Sequence, residues 1–302
     1  MIQRGIYEGP SAMPEPRGHK TGVMATVITL ALFSANLFGA GSAQDKKPRP
    51  EELVARHVES LGAAEAQAAA RSRTVTGSVT LSLRIGGAGN LSGEAMMVST
   101  GPRLRFGMRF PVIEYPGEDM AFDGARAATG FLPKGTRSQL SAFLSQQDAP
   151  LKEGLFGGVL STAWPLLRFE QQQPRLEYRG LKKVGGRELH EVNYRPRKGS
   201  SSLKIVLHFD PMTFRHVRTQ YSFQIGASIG TRENANLNPE SDYSLTEEFD
   251  DFRAVDGLML PHKYRLQLSV QSGTASALYD YNLAIGRISH NEALDERLFT
   301  LK

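Results

Sequence analysis

From Val75 to Ile85 the apolar residues Val75, Val79, Leu81, Leu83 and Ile85 share one parity, and Thr76, Ser78, Thr80, Ser82 and Arg84 share the other. A period of two marks a strand with one buried face and one wetted face. The alternation returns in "RLRFGMRF", where Leu104, Phe106, Met108 and Phe110 interleave with Arg103, Arg105 and Arg109. Three arginines on one side put that side in water. It recurs through "RLEYRGLKKV", "RELHEVNYRP", "SLKIVLHF", "FRHVRTQYSFQI", "YSLTEEFDDF", "MLPHKYRLQLSV" and "ASALYDYNLAIGRI". Turn residues separate the runs: Asp123-Gly124, Gly185-Gly186, Asp210-Pro211 and Val255-Asp256-Gly257. About ten strands joined by short turns predict an antiparallel meander. The segment 232–241 reads as a polar loop.

The period changes in two places. In "RPEELVARHVESLG", Leu53, Val54, His57, Val58 and Leu61 recur at helical spacing, with Pro50, Glu51 and Glu52 suited to a first turn. Residues 133–168 read as short helices broken at Pro150, Gly154, Gly157, Gly158 and Pro165. Within them lies "LFGGVLSTAWPLL" (155–167), which holds the single tryptophan. It is too short and too interrupted to span a bilayer. Read as a helix, it places Phe156, Val159, Leu160, Ala163, Trp164 and Leu167 on one face. Strands with one apolar face need a cover, and these two helical segments are the available ones. A large twisted sheet also curls. The predicted class is α+β: an open, strongly curved antiparallel half-barrel of about ten strands, with an N-terminal helix and a helical lid on its concave face.

Composition places this domain outside the cytoplasm. The chain has 302 residues, and Thr21–Gln44 carries no charge after Arg17, His19 and Lys20. An apolar run ending in small residues predicts a signal peptide over 1–43, cut after Ala43, with an uncleaved anchor as the alternative and Met13 as an alternative start. Residues 44–302 then form one domain, with 133–168 as a lid insert, in the periplasm. The absence of cysteine excludes disulfides and acylation of this chain. The net charge of +5 is scattered along the sequence, which argues against nucleic acid and for a weak attraction to anionic lipid surfaces.

Catalytic chemistry is not legible. No nucleophile elbow, H-E-x-x-H motif or P-loop occurs, and "GGAGNLSG" (86–93) reads as a hairpin. His190, His208, His216 and His262 fall on strands as exposed polar-face residues, with a metal pair at His208 and His216 as the sharper alternative. The run "EEFDDF" (247–252) reads as a solvated face. Glu247 is the exception, because it shares the parity of Tyr243, Leu245 and Phe249, and an inward carboxylate needs a partner or a proton. The feature in excess is apolar surface on one side of the sheet: Leu81, Leu83, Leu104, Phe106, Met108, Leu207, Val217, Tyr221, Phe223, Tyr264, Leu266, Leu268, Tyr281 and Leu283. It is either ordinary core or the lining of a lipid cavity, with Phe156, Val159, Leu160, Trp164 and Leu167 as its lid.

The helix "EELVARHVESLG", the strand "TVTGSVTLSL", the central helical interruption, the hairpin "DPMTFRHVRTQY" and the late strand "VDGLMLPHKYRL" together resemble the LolA/LolB-like superfamily of periplasmic lipoprotein carriers. The sensor domain of the anti-sigma regulator RseB is similar in fold. The resemblance implies an incomplete barrel that holds acyl chains under a lid, with no enzymatic activity and no cofactor. Its partners would be a lipoprotein or lipid and membrane receptor proteins. It also implies an early-strand arginine tied to the lid, for which Arg84, Arg103 and Arg105 are the candidates, although Arg103 and Arg105 face outward. A lipid or lipoprotein carrier is therefore the leading expectation. An envelope sensor that binds a partner protein is the second, and an enzyme centred on Glu247 the third.

Overall fold

The computed structural model of the chain describes residues 48–84, 88–197, 202–226 and 240–301. The expected signal peptide, Ile85 and most of the 232–241 loop lie outside these residues. Two helices come first, α1 (Pro50–Ser60) and α2 (Ala64–Ala69). Five strands follow: β1 (Ser72–Arg84), β2 (Ala88–Thr100), β3 (Arg103–Arg109), β4 (Gly117–Phe122) and β5 (Ala127–Thr129). The middle of the chain carries α3 (Gln139–Gln146), α4 (Ala149–Lys152), two 3₁₀ turns (Gly158–Leu160 and Pro165–Arg168) and α5 (Phe169–Gln172). Seven strands then run to the end: β6 (Arg175–Val184), β7 (Arg187–Arg195), β8 (Lys204–Phe209), β9 (His216–Ile225), β10 (Ser241–Val255), β11 (Leu258–Ser272) and β12 (Ala275–His290). A 3₁₀ turn, Glu296–Phe299, follows the last strand.

Among the described residues, twelve strands form one antiparallel sheet in the order β5-β4-β3-β2-β1-β12-β11-β10-β9-β8-β7-β6. Each strand pairs with its sequence neighbour except where β1 meets β12, so two meanders join at the middle of the sheet. The two edges, β5 and β6, are consecutive in the chain, and residues 130–174 must cross the whole sheet to connect them. That crossing makes the central segment a cover. The expectation of an open, curled antiparallel sheet with helices on one face holds, with twelve strands in place of about ten.

The parity of the sequence sets the two faces. Val79 stands opposite Leu283 and Leu81 opposite Tyr281, which in turn stands opposite Leu266. Phe106 lies between Met97 and Met120. These side chains join one continuous core with the cover. The outer face carries ion pairs: Arg105 grips Asp119 at 2.7 Å, and Arg265 bridges Glu248 and Asp280. The expectation that the arginine side of β3 lies in water needs adjustment. The terminal 3₁₀ turn packs there, with Phe299 buried under Arg103 and the Leu298 carbonyl accepting from Arg105.

The end of α1 is fixed to the β10–β11 turn by a close backbone approach. Gly62 sits at φ 131°, and a Cβ there would lie 2.3 Å from the Gly257 carbonyl oxygen. The Met259 amide donates to the Leu61 carbonyl beside it. Gly62→Ala is expected to destabilise the fold by about 2–4 kcal/mol in urea unfolding, through clash and a forced left-handed backbone. An unchanged unfolding midpoint would show that this contact does not hold the helix.

Candidate functional site

The concave face is where the apolar residues converge. Leu81, Leu104, Phe106, Met108, Leu207, Tyr221, Phe223, Tyr264, Leu266, Leu268, Tyr281 and Leu283 are buried there, and half-buried Leu83 packs against them. Phe156, Val159, Leu160 and Trp164 come down from the cover and are buried, and Leu167 packs half-buried at its margin. Phe156 meets Phe106 edge-on at 5.6 Å, and Phe143 of α3 meets Phe223 at 5.4 Å. Between Leu160, Phe106, Tyr264 and Leu283 the remaining space is about 10 Å³. That is about one water in size. The cover's own side chains therefore fill the face at this point.

The cover is not the single amphipathic helix that the spacing suggests. It descends in two 3₁₀ turns, because Gly157 and Gly158 take left-handed conformations, φ 79° and 50°, and Pro165 starts the second turn. A Cβ on Gly158 would stand 2.7 Å from the Phe249 ring, and one on Gly157 would stand 2.5 Å from the Met97 methyl. Glycine thus lets the backbone itself touch the sheet.

An irregular backbone in an apolar setting needs hydrogen-bond partners, and four polar groups from the sheet and α1 supply them or pin nearby side chains. Glu247 accepts from the Gly157 amide at 2.7 Å, from Tyr264 Oη at 2.6 Å and from Tyr221 Oη at 2.7 Å. Ser99 Oγ accepts from the Thr162 amide at 3.0 Å. Arg73 donates through Nη1 to the Val159 carbonyl and through Nε to His290 Nε2 at 3.0 Å. His290 in turn meets Asp256 at 2.8 Å. His57 accepts from Trp164 Nε1 at 3.0 Å. A second buried carboxylate, Glu118, holds the start of α3 by accepting from Ser138 Oγ at 2.7 Å and Ser141 Oγ at 2.8 Å, with Tyr115 and Tyr281 completing its shell.

The protonation states follow from these partners. His57 Nδ1 lies 3.0 Å from the Phe214 carbonyl, which can only accept, so Nδ1 carries the proton and Nε2 is free to accept from Trp164. Burial pushes the His57 pKa down to about 4. His216 stacks on Trp164 at 4.5 Å, and burial, reinforced by His57, holds it well below the usual histidine range. Burial moves the carboxylates the other way. Glu247 is raised to about 7 against the pull of its three donors, and Glu118 is raised as well. Arg73, lowered to about 10 by burial, stays charged at neutral pH.

Several expectations change here. Val217 is buried but lies outside the concave core, because a register shift between His208 and Phe209 turns His216 inward in its place. His190, His208 and His216 are buried rather than exposed. His208 faces Glu191 and Arg218 on the outer side while His216 faces Trp164, so the two do not form a metal pair. Among the described residues no cluster of three or more His, Cys, Asp or Glu is placed to hold a metal. In "EEFDDF", Glu247 and Phe249 point inward while Glu248 pairs with arginines outside. The arginine that touches the cover is Arg73. Arg84 is exposed, and Arg103 and Arg105 are on the outer face. Arg73 shares the parity of Val75, and Glu118 that of Met120 and Phe122, so the alternation that exposed Glu247 applied to both.

No protein-family model and no curated protein sequence matches the chain. Among solved structures it is similar to a LolA superfamily protein from Nitrosomonas europaea, at 11% identity and TM-score 0.44 over 84% of this chain and 99% of that one. It is similar to a domain described as an outer membrane lipoprotein-sorting protein from Vibrio parahaemolyticus, at 13% identity and TM-score 0.43 over 82% and 97%. It is also similar to a chain of the Pseudomonas aeruginosa MucA/MucB complex, at 11% identity and TM-score 0.22 over 80% and 99%. The LolA-like resemblance of the sequence thus reappears among solved structures.

The two best-defined pins titrate with opposite sign. Glu247 has a folded pKa above its unfolded value, so its contribution is complete below pH 4.5 and is lost as the pH rises through 7. His57 has a folded pKa below its unfolded value, so its contribution is complete above pH 6.5 and is lost as the pH falls through 4. In urea unfolding at a series of pH values, the stability of the wild type minus that of Glu247→Gln should fall by roughly 2–3 kcal/mol between pH 4.5 and 7. The same difference for His57→Gln should rise between pH 4 and 6.5. Differences that do not vary with pH would contradict these assignments.

Proposed function

We propose that this protein is a periplasmic carrier that takes an acyl chain of a lipid or lipoprotein onto the concave face, in exchange for the cover. One observation carries the reading: the cover's own side chains occupy the curved apolar face, yet they reach it on short glycine-broken turns rather than on a sheet strand or a long helix. Exposing Leu155, Phe156, Val159, Leu160, Trp164 and Leu166 to water would cost on the order of 10–15 kcal/mol. The cover therefore does not stand open unaided. An acyl chain of about sixteen carbons recovers about 12 kcal/mol at ~0.8 kcal/mol per CH₂. Ligand and cover are thus of comparable worth to the face, which is the condition for exchange in both directions. Both oxygens of Glu247 are occupied by donors within the fold, which favours a binding role over an enzyme centred on that residue.

Trp164 reports the exchange directly, because it leaves His57 and His216 when the cover lifts. Adding a long-chain fatty acid to the purified protein is expected to shift Trp164 emission to longer wavelength, and organic extraction of freshly purified protein should yield co-purified lipid. Protein that carries no lipid, takes up no fluorescent fatty acid and shows unchanged Trp164 emission would overturn the reading.

A further inference from the structure

A groove of about 340 Å³ opens where the cover meets the N-terminal helices and the start of β11. Leu61, Val159, Leu167 and Leu258 form apolar walls, and Arg73 and Arg168 supply its charge. Among the described residues no carboxylate pairs with either arginine. Arg73 spends Nε on His290 and Nη1 on the Val159 carbonyl, and among the described residues its Nη2 makes no hydrogen bond. Arg168 donates through Nη2 to the Ala163 carbonyl at 2.9 Å, and its Nε is buried without a partner. Burial lowers the pKa of both guanidiniums, Arg73 being buried and Arg168 half-buried, and Arg73 is linked to a carboxylate, Asp256, through His290. Buried cations are ordinarily paired, because an uncompensated charge in a low-dielectric site is costly. The half-exposed arginines of the outer face, Arg105, Arg218 and Arg265, each meet a carboxylate, whereas Arg215, whose Nε is also buried without a partner, lies over the Phe252 ring.

We infer that this groove is an anionic headgroup site, in which Arg73 and Arg168 hold the phosphate or carboxylate of a single-chain amphiphile whose tail runs beneath the cover. The inference rests on the acyl-binding reading and names the ligand class for it. The volume lies at the lower end of small-ligand pockets, and two guanidiniums match an oxyanion through charge-assisted hydrogen bonds. Val159 lines the groove and its chain neighbour Leu160 lines the small gap above Phe106, so a lifted cover would join the two spaces. An anion that spans Nη2 and Nη1 of Arg73 would compete with the Val159 carbonyl at Nη1. Binding of the headgroup thereby weakens one of the contacts that hold the cover down.

The test compares dodecyl phosphate, dodecyl maltoside and inorganic phosphate, each below its aggregation threshold, by titration calorimetry on the wild type and on Arg168→Gln. Dodecyl phosphate should bind the wild type at least about tenfold more tightly than dodecyl maltoside, the worth of one charge-assisted contact. Arg168→Gln should lose about tenfold for dodecyl phosphate with dodecyl maltoside unchanged, and Arg168→Lys should recover part of the loss. An unchanged urea midpoint in Arg168→Gln separates lost binding from lost folding. Equal affinity for the two detergents, or no effect of Arg168→Gln, would overturn the headgroup site and leave the acyl-binding reading standing. Inorganic phosphate binding as tightly as dodecyl phosphate would overturn the amphiphile assignment in favour of a free-anion site. Failure of both detergents to bind would overturn the site and the acyl-binding reading together.

Discussion

The structure depends on one constraint: a chain that finishes one meander at β5 and begins the next at β6 must carry its backbone across the apolar concave face. Each peptide unit there brings an N–H and a C=O that water no longer reaches, and each needs a partner. The partners are polar residues placed at inward positions of otherwise apolar strands. Glu247 receives the Gly157 amide, Ser99 the Thr162 amide, and Arg73 holds the Val159 carbonyl. Replaced by leucine, these positions would make a greasier face with an unsatisfied crossing above it. The buried polar groups are thus the reason a loop-like segment can serve as a cover.

The same contacts give the cover its response to conditions. Burial raises the Glu247 pKa to about 7 in the structure, and the proposed lifting of the cover would return it toward an ordinary carboxylate value and release a proton around neutral pH. His57 behaves in the opposite sense, since the closed state requires its neutral tautomer for Trp164. Acid therefore tightens the glycine end of the cover while loosening the tryptophan end. Apolar burial supplies most of the closing energy, and the polar pins set register and pH dependence.

Much of the fold was legible because the strand period is strict. The parity of Leu104, Phe106 and Met108, and of Glu247 among Tyr243, Leu245 and Phe249, is enough to place these residues on the concave face. What escaped was local or long-range. A one-residue register slip between His208 and Phe209 exchanged Val217 for His216, and no periodicity signals a bulge. The segment 155–167 of the cover reads as a helix by spacing alone, yet Gly157 and Gly158 adopt left-handed backbone that the close approach to Met97 and Phe249 explains. Arg73 is hard to read from sequence because it precedes the clear alternating run of β1. Its role depends on Val159, a contact across the whole first meander that strand patterning does not encode.

In the proposed exchange, ligand reaches the concave face only when the cover lifts from the sheet. The chain has no cysteine, so a single engineered pair can tie the two together. Ser99 and Thr162, already joined by a 3.0 Å hydrogen bond across the interface, are the positions of choice. In the Ser99→Cys/Thr162→Cys variant, uptake of a fluorescent fatty acid should be abolished when the pair is oxidised and restored by reductant. Uptake that is unaffected by oxidation, with the disulfide verified by mass, would contradict the account.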